Sequence, residues 1–144
     1  MEVNKMKNVL IPVDFSKDTA EFVKKGIALF SDLETINFLY VVSLSIKELQ
    51  EYVNSESVSL AKSVAEKKMT EFIKELNLNK KYKVEYAISD GDPARVIIDL
   101  ANNGKFDAII IGHRGYSYIE DFFIGSVTLK VISKVNIPVI VIKK

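Results

Sequence analysis

Three glycines and two hydroxyl residues carry the clearest chemistry in this sequence. Gly112 closes an apolar run. Two residues separate it from Gly115, and nine more precede Gly125, which leads straight into Ser126, Val127 and Thr128. A strand that ends in a glycine-lined loop and feeds a helix with hydroxyls in its first turn suits the holding of phosphates. The helix start offers unpaired backbone N–H groups and a partial positive charge. Glycine lets an anion approach the main chain closely and permits positive φ. The pattern points to a bound nucleotide. Turn glycines without a ligand are the alternative, but a turn alone does not call for Ser and Thr at the next helix start.

The chemistry that is missing narrows the classes. The chain has no cysteine and one histidine, His113, so thiolate nucleophiles, disulfides and cysteine zinc sites are excluded. No lysine sits beside Gly125, so the phosphate motif GxxxxGK[ST] of fast nucleotide hydrolases is absent. No catalytic or metal-ligating residue is assigned. A slow nucleotide hydrolase helped by Asp14, His113 or Arg114 is the enzymatic alternative. At 144 residues, with 48% hydrophobic and 27% charged residues, one domain over 1–144 with an ordinary core is expected. A formal charge of +1 gives no field for nucleic acid or an anionic membrane. No apolar run approaches the ~20 residues of a membrane span. The N-terminus has no signal-peptide pattern, so a cytoplasmic protein is expected.

These residues need elements to position them. Asn8–Asp14 is apolar and β-branched and reads as a buried strand, ending at Pro12 because proline cannot donate to a ladder. Asp18 and Glu21 have capping-box spacing before a helix with Ala20, Val23, Ile27 and Phe30 on one face. Glu34–Ser43 is a second strand. Ser45 with Glu48 is another capping box, Leu44 with Leu49 a hydrophobic staple. Helical spacing then runs through Val58, Ala61, Ala65, Met69, Phe72 and Leu76, with a break placed at Asn54-Ser55. Lys83–Ser89 alternates and reads as an edge strand. Asp92 is an N-cap, Pro93 the first helical residue, and Ile97 and Ala101 face inward, with Gly104 as C-cap. Asp107–Ile111 is the fourth strand. A helix from about Ser126 to Lys134 and a strand Val139–Ile142 complete the chain.

Strands alternating with amphipathic helices give an α/β fold: a doubly wound, Rossmann-like, five-stranded parallel sheet with helices on both faces. With strand order 3-2-1-4-5, the winding reverses between the first and fourth strands. Ligands of such sheets bind beyond the carboxyl ends at that reversal. Asp14 and Gly112, far apart in sequence, would then share one crevice.

PVDFS after the first strand, VV at the end of the second, GDP before the third helix, and G-x-x-G followed after nine residues by G-S-V-T resemble the universal stress protein family over essentially the whole chain. The glycine pattern resembles its ATP-binding branch. The resemblance implies that Pro12, Val13 and Asp14 line the adenine and ribose end. Val41 would meet adenine through its main chain. Gly112, His113, Arg114 and Gly115 would wrap ribose and phosphates, and Gly125, Ser126, Val127 and Thr128 would hold phosphates. It further implies ATP with Mg²⁺, a sensor or regulatory role in stress response, and a homodimer through the last strand. A dimeric interaction protein without nucleotide is the remaining alternative. Glu120 and Asp121, among Tyr116, Tyr118, Phe122 and Phe123, depart from the family pattern. Two carboxylates would repel a triphosphate if they pointed inward.

Overall fold

The computed structural model describes residues 6–44, 55–113 and 125–143. Its elements, in chain order, are β1 (Asn8–Pro12), α1 (Thr19–Ile27), β2 (Thr35–Ser43), α2 (Ser55–Leu76), β3 (Lys83–Gly91), α3 (Pro93–Ala101), β4 (Ala108–Gly112), α4 (Ser126–Lys134) and β5 (Val139–Ile142). The strands form one five-stranded parallel sheet in the order β3-β2-β1-β4-β5. This is the expected doubly wound α/β fold, with the winding reversed between β1 and β4.

Side chains alternate across the sheet and fill two cores. Val9, Ile11, Val13, Ile36, Phe38 and Ile110 point to the face covered by Val23 and Ile27 of α1 and Met69 of α2. Leu10, Leu39, Val41, Ile109 and Ile111 point to the opposite face, against Ile97 and Ala101 of α3 and Val131 of α4. The central strands are apolar at nearly every position because both of their faces are covered. β3, at one edge, keeps several exposed residues. It is tied to α2 by the Lys62–Asp90 ion pair (2.6 Å) and by the Tyr86 hydroxyl, which donates to Glu66 at 2.9 Å. That bond and the Glu66 charge hold the Tyr86 pKa above its ordinary value of 10.0.

Helix ends follow local chemistry, with two corrections. Asp92 caps α3 by accepting from the Arg95 N–H at 3.0 Å, with Pro93 in the first turn. α2, described from Ser55, ends on Asn77 at φ 52, the left-handed conformation asparagine tolerates; the break expected at Asn54-Ser55 lies at the edge of the described residues. The C-cap of α3 is Asn102; Gly104, at φ 88, turns the chain two residues later. The capping box of Asp18 and Glu21 does not form: Asp18 makes no side-chain cap bond. The side chain that meets the start of α1 is Asp14, which accepts from the Thr19 hydroxyl. The box and staple expected within 44–49 lie largely outside the described residues.

α1 can rest on β4 only because position 26 is glycine. A Cβ there would collide with the Cγ2 methyl of Ile110. That methyl branches directly from the backbone-bound carbon and cannot swing away. Gly26→Ala is therefore expected to destabilise the protein by about 1–3 kcal/mol through overpacking, outweighing the better helix propensity of alanine. Urea or thermal unfolding reads the effect; unchanged or raised stability would contradict the packing described here.

Candidate functional site

The site begins with a gap in the sheet. β1 pairs with β2 along its length, from Asn8↔Thr35 to Pro12↔Leu39. With β4 it pairs only at Val9↔Ala108 and Leu10↔Ile109, although both strands continue. The reason is Pro12. The Val13 N–H donates to Leu39 O of β2 at 2.9 Å. Backbone groups alternate sides along a strand, so the nitrogen of residue 12 faces β4, where proline has no hydrogen to donate. The ladder stops, leaving a gap in the hydrogen bonding between β1 and β4 at their carboxyl ends.

β1 then turns sharply. Phe15 sits at φ 60, a left-handed conformation that costs a residue other than glycine about 1–3 kcal/mol. Its ring offsets this by packing on Tyr40 (centroids 4.7 Å apart) and edge-on to Phe72 (6.1 Å), which in turn meets Phe38. The turn brings Asp14 over the start of α1. Its Oδ1 accepts from the Ser16 N–H and from the Thr19 hydroxyl, both at 3.0 Å. The first is an Asx turn. Both bonds fall on Oδ1, so among the described residues Oδ2 of this half-exposed carboxylate has no partner.

β4 supplies the opposite wall. Gly112 pairs with Ile142, and the His113 N–H donates to Ile142 O at 3.1 Å. The chain leaves the described residues after His113 and re-enters at Gly125, whose N–H donates to His113 O at 2.7 Å. α4 starts there with no side-chain cap. The Gly125 carbonyl accepts from the Leu129 N–H, whereas the N–H groups of Ser126, Val127 and Thr128 meet no acceptor among the described residues. A partial positive charge thus lies beside the gap. The exposed Ser126 adds a hydroxyl. The Thr128 hydroxyl does not face the gap: it is fully buried and donates to Gly112 O at 2.9 Å.

The sequence-derived residues therefore converge, in three groups. Pro12, Val13 and Asp14 form one wall; Gly112 and His113 form the other; Gly125, Ser126, Val127 and Thr128 start the helix bonded to that wall. Val13 and Val41 bury their side chains, so only their main chains can meet a ligand. Val41 lies two residues past Leu39, with its peptide groups on the same side of β2 as those of Leu39, toward the end of β1. Arg114 and Gly115, with Glu120 and Asp121, lie outside the described residues. Gly112 and Gly125 do not have positive φ; Gly125 sits at φ −61, ψ 151. Sequence reasoning missed the turn built by Phe15. The D-x-S triplet at 14–16 was the available signal. Among the described residues no cluster of three or more metal-binding side chains occurs, and no helix is long and apolar enough to cross a membrane.

Known proteins share this fold. Residues 5–143 match the model of the Universal stress protein family. Universal stress protein MJ0577 of Methanocaldococcus jannaschii is 32% identical over 157 aligned residues, covering 96% of this chain and 95% of the relative. The solved structure of MJ0577 superposes with a TM-score of 0.81 at 31% identity, over 98% of both chains. Two more distant structures share the fold. A universal stress protein in complex with cAMP has a TM-score of 0.65 at 20% identity, over 96% of this chain and 98% of its own. A universal stress protein family member from Arabidopsis thaliana with AMP bound has a TM-score of 0.58 at 21% identity, over 96% and 92%.

Asp14 offers a direct test of the site's construction. Asp14→Ala removes the acceptor of two bonds at the start of α1 and is expected to cost about 1–2 kcal/mol. Asp14→Asn keeps a side-chain oxygen and is expected to recover most of that stability. Equal stability of the alanine variant and the parent in urea titrations would show that the turn does not depend on this carboxylate.

Proposed function

Because this chain belongs to the universal stress protein family, we propose that it is a nucleotide-binding regulatory module that holds ATP in the gap between β1 and β4. The single observation that carries this reading is the juxtaposition of that gap with the uncapped start of α4. A proline-ended ladder stops at the sheet's reversal point, and the N–H groups of Ser126, Val127 and Thr128, which meet no acceptor among the described residues, begin the helix bonded to its β4 side. The nucleotides held by relatives of the same fold, cAMP and AMP, agree with an adenine nucleotide here.

In this proposal the main chain of Val41 and the Pro12–Asp14 corner receive adenine and ribose. Gly112, His113, Arg114 and Gly115 wrap ribose and phosphates. The N–H groups of Ser126, Val127 and Thr128 and the Ser126 hydroxyl meet phosphate oxygens. A Mg²⁺ bound with ATP would take its remaining ligands from phosphate and water, and Asp14, at the end of β1, is the residue that would meet a metal-bound water. Such an ion neutralises the triphosphate; the protein's own part is to orient it. The role is that of a sensor or regulator in stress response whose state follows the nucleotide it holds.

Two measurements test the assignment. Freshly purified protein, denatured and centrifuged, should release an adenine nucleotide that ion-exchange chromatography identifies. Titration calorimetry with MgATP should then show binding that Gly125→Val removes by at least about 100-fold. Valine fits φ −61, ψ 151 without backbone strain, so this variant is expected to keep the fold while blocking the approach of phosphate. Undiminished ATP affinity in Gly125→Val would place the pocket elsewhere.

The same family membership leads us to propose a homodimer through β5. This strand is a sheet edge of four apolar, half-buried residues, and Leu129 and Ile132 of the adjacent α4 are exposed. An open apolar edge of this kind invites a second strand. Light scattering coupled to size exclusion should give twice the chain mass of 16.2 kDa, and Val141→Lys should shift the protein toward monomer; a monomeric parent at micromolar concentration would remove the proposal.

A further inference from the structure

The two hydroxyls at the start of α4 have different surroundings. Ser126 is exposed, and among the described residues no hydrogen bond engages its hydroxyl. Thr128 has no exposed surface, and its hydroxyl donates to the carbonyl of Gly112 at 2.9 Å. A hydroxyl has one proton to give, and phosphate oxygens are acceptors. With that proton committed to Gly112 and the oxygen sealed from solvent, the Thr128 hydroxyl cannot serve as a phosphate donor.

The bond it makes has a geometric consequence. Gly112 is the last residue of β4, and the bond spans 16 positions of sequence to reach it. Beside it runs a second bond, from the Gly125 N–H to His113 O. Together these two bonds fix where α4 begins relative to the end of β4. The backbone bond is common to any sequence that folds this way. The side-chain bond depends on residue 128 alone.

The geometry points to Thr128 as a positioning residue: its hydroxyl, bound to Gly112, holds the first turn of α4 so that the N–H groups of residues 126–128 and the Ser126 hydroxyl face the nucleotide phosphates. This rests on the nucleotide reading above. It also divides the hydroxyl pair, with Ser126 touching the ligand and Thr128 acting through the helix start.

Three variants decide it, each read by MgATP titration and by ligand-free amide NMR shifts. Thr128→Val removes the donor at nearly constant volume. It is expected to weaken MgATP binding about tenfold, the scale of one lost hydrogen bond, and to move the ligand-free amides of Gly112, Ser126 and Val127. Thr128→Ser keeps the donor and is expected to bind within about twofold of the parent, with those amides restored. Ser126→Ala should weaken binding while leaving the ligand-free Gly112 amide and the unfolding temperature in place. Parent-like affinity in Thr128→Val, or a loss in Thr128→Ser as large as in Thr128→Val, overturns the assignment. If the parent binds no adenine nucleotide, the nucleotide reading fails. The positioning claim is then decided by the ligand-free amides: unmoved in Thr128→Val, they refute it; moved there and restored in Thr128→Ser, they uphold it. Thr128→Ala gives the same readings should the valine variant fail to fold.

Discussion

Pro12 lacks the hydrogen that a strand in the middle of a parallel sheet is required to give. Because its neighbour Val13 bonds to β2, the missing donor is on the β4 side, and the ladder between the two central strands ends early. The sheet is held elsewhere by continuous pairing, most extensively between β2 and β3. The defect is therefore local. It falls at the carboxyl end of the sheet, at the one place where the chain's winding reverses, and the described residues of the candidate site are arranged around it.

What surrounds the opening is stiff. On the β1 side, a left-handed Phe15 is held by an aromatic stack that joins β1 to β2 and α2. Asp14 follows from that turn and anchors α1, and α1 lies close on β4 through Gly26. On the β4 side, the start of α4 is fixed by the bonds from Gly125 and Thr128. A ligand entering here meets peptide groups that are already oriented and bears little of the ordering cost itself. The Asn102 side chain braces the far end of the same helix. It donates to Lys134 O and accepts from the Asn136 N–H, so α4 is tied down at both ends.

The strands and helices were legible because their signals are periodic and both cores are apolar. The runs around Ile11, Phe38 and Ile110 read as buried strands, and Val23 and Ile27 as a packed helix face. The sheet order 3-2-1-4-5 entered as a premise, and the sheet has it. The corner after β1 was less legible. Asp14 and Asp18 both precede α1, and spacing alone favoured Asp18 with Glu21. The left-handed turn at Phe15 swings Asp14 into place instead, and such a φ at an aromatic residue has no sequence signature. The glycines were legible as a phosphate pattern for a reason that holds only in part. Gly112 and Gly125 adopt conformations open to any residue, so their use lies in the room they leave. Thr128 reads from sequence like Ser126, because nothing local reveals which of two hydroxyls turns inward.

The bonds at His113 bear on how a change in one element reaches another. Its N–H donates to Ile142 O at the end of β5, and its carbonyl accepts from the Gly125 N–H before α4. Gly112, beside it, pairs with Ile142 and accepts from the Thr128 hydroxyl. The end of β4 is therefore a splice point: β5 and the start of α4 are both hung from the same two residues, so a displacement of either is passed to the other through them.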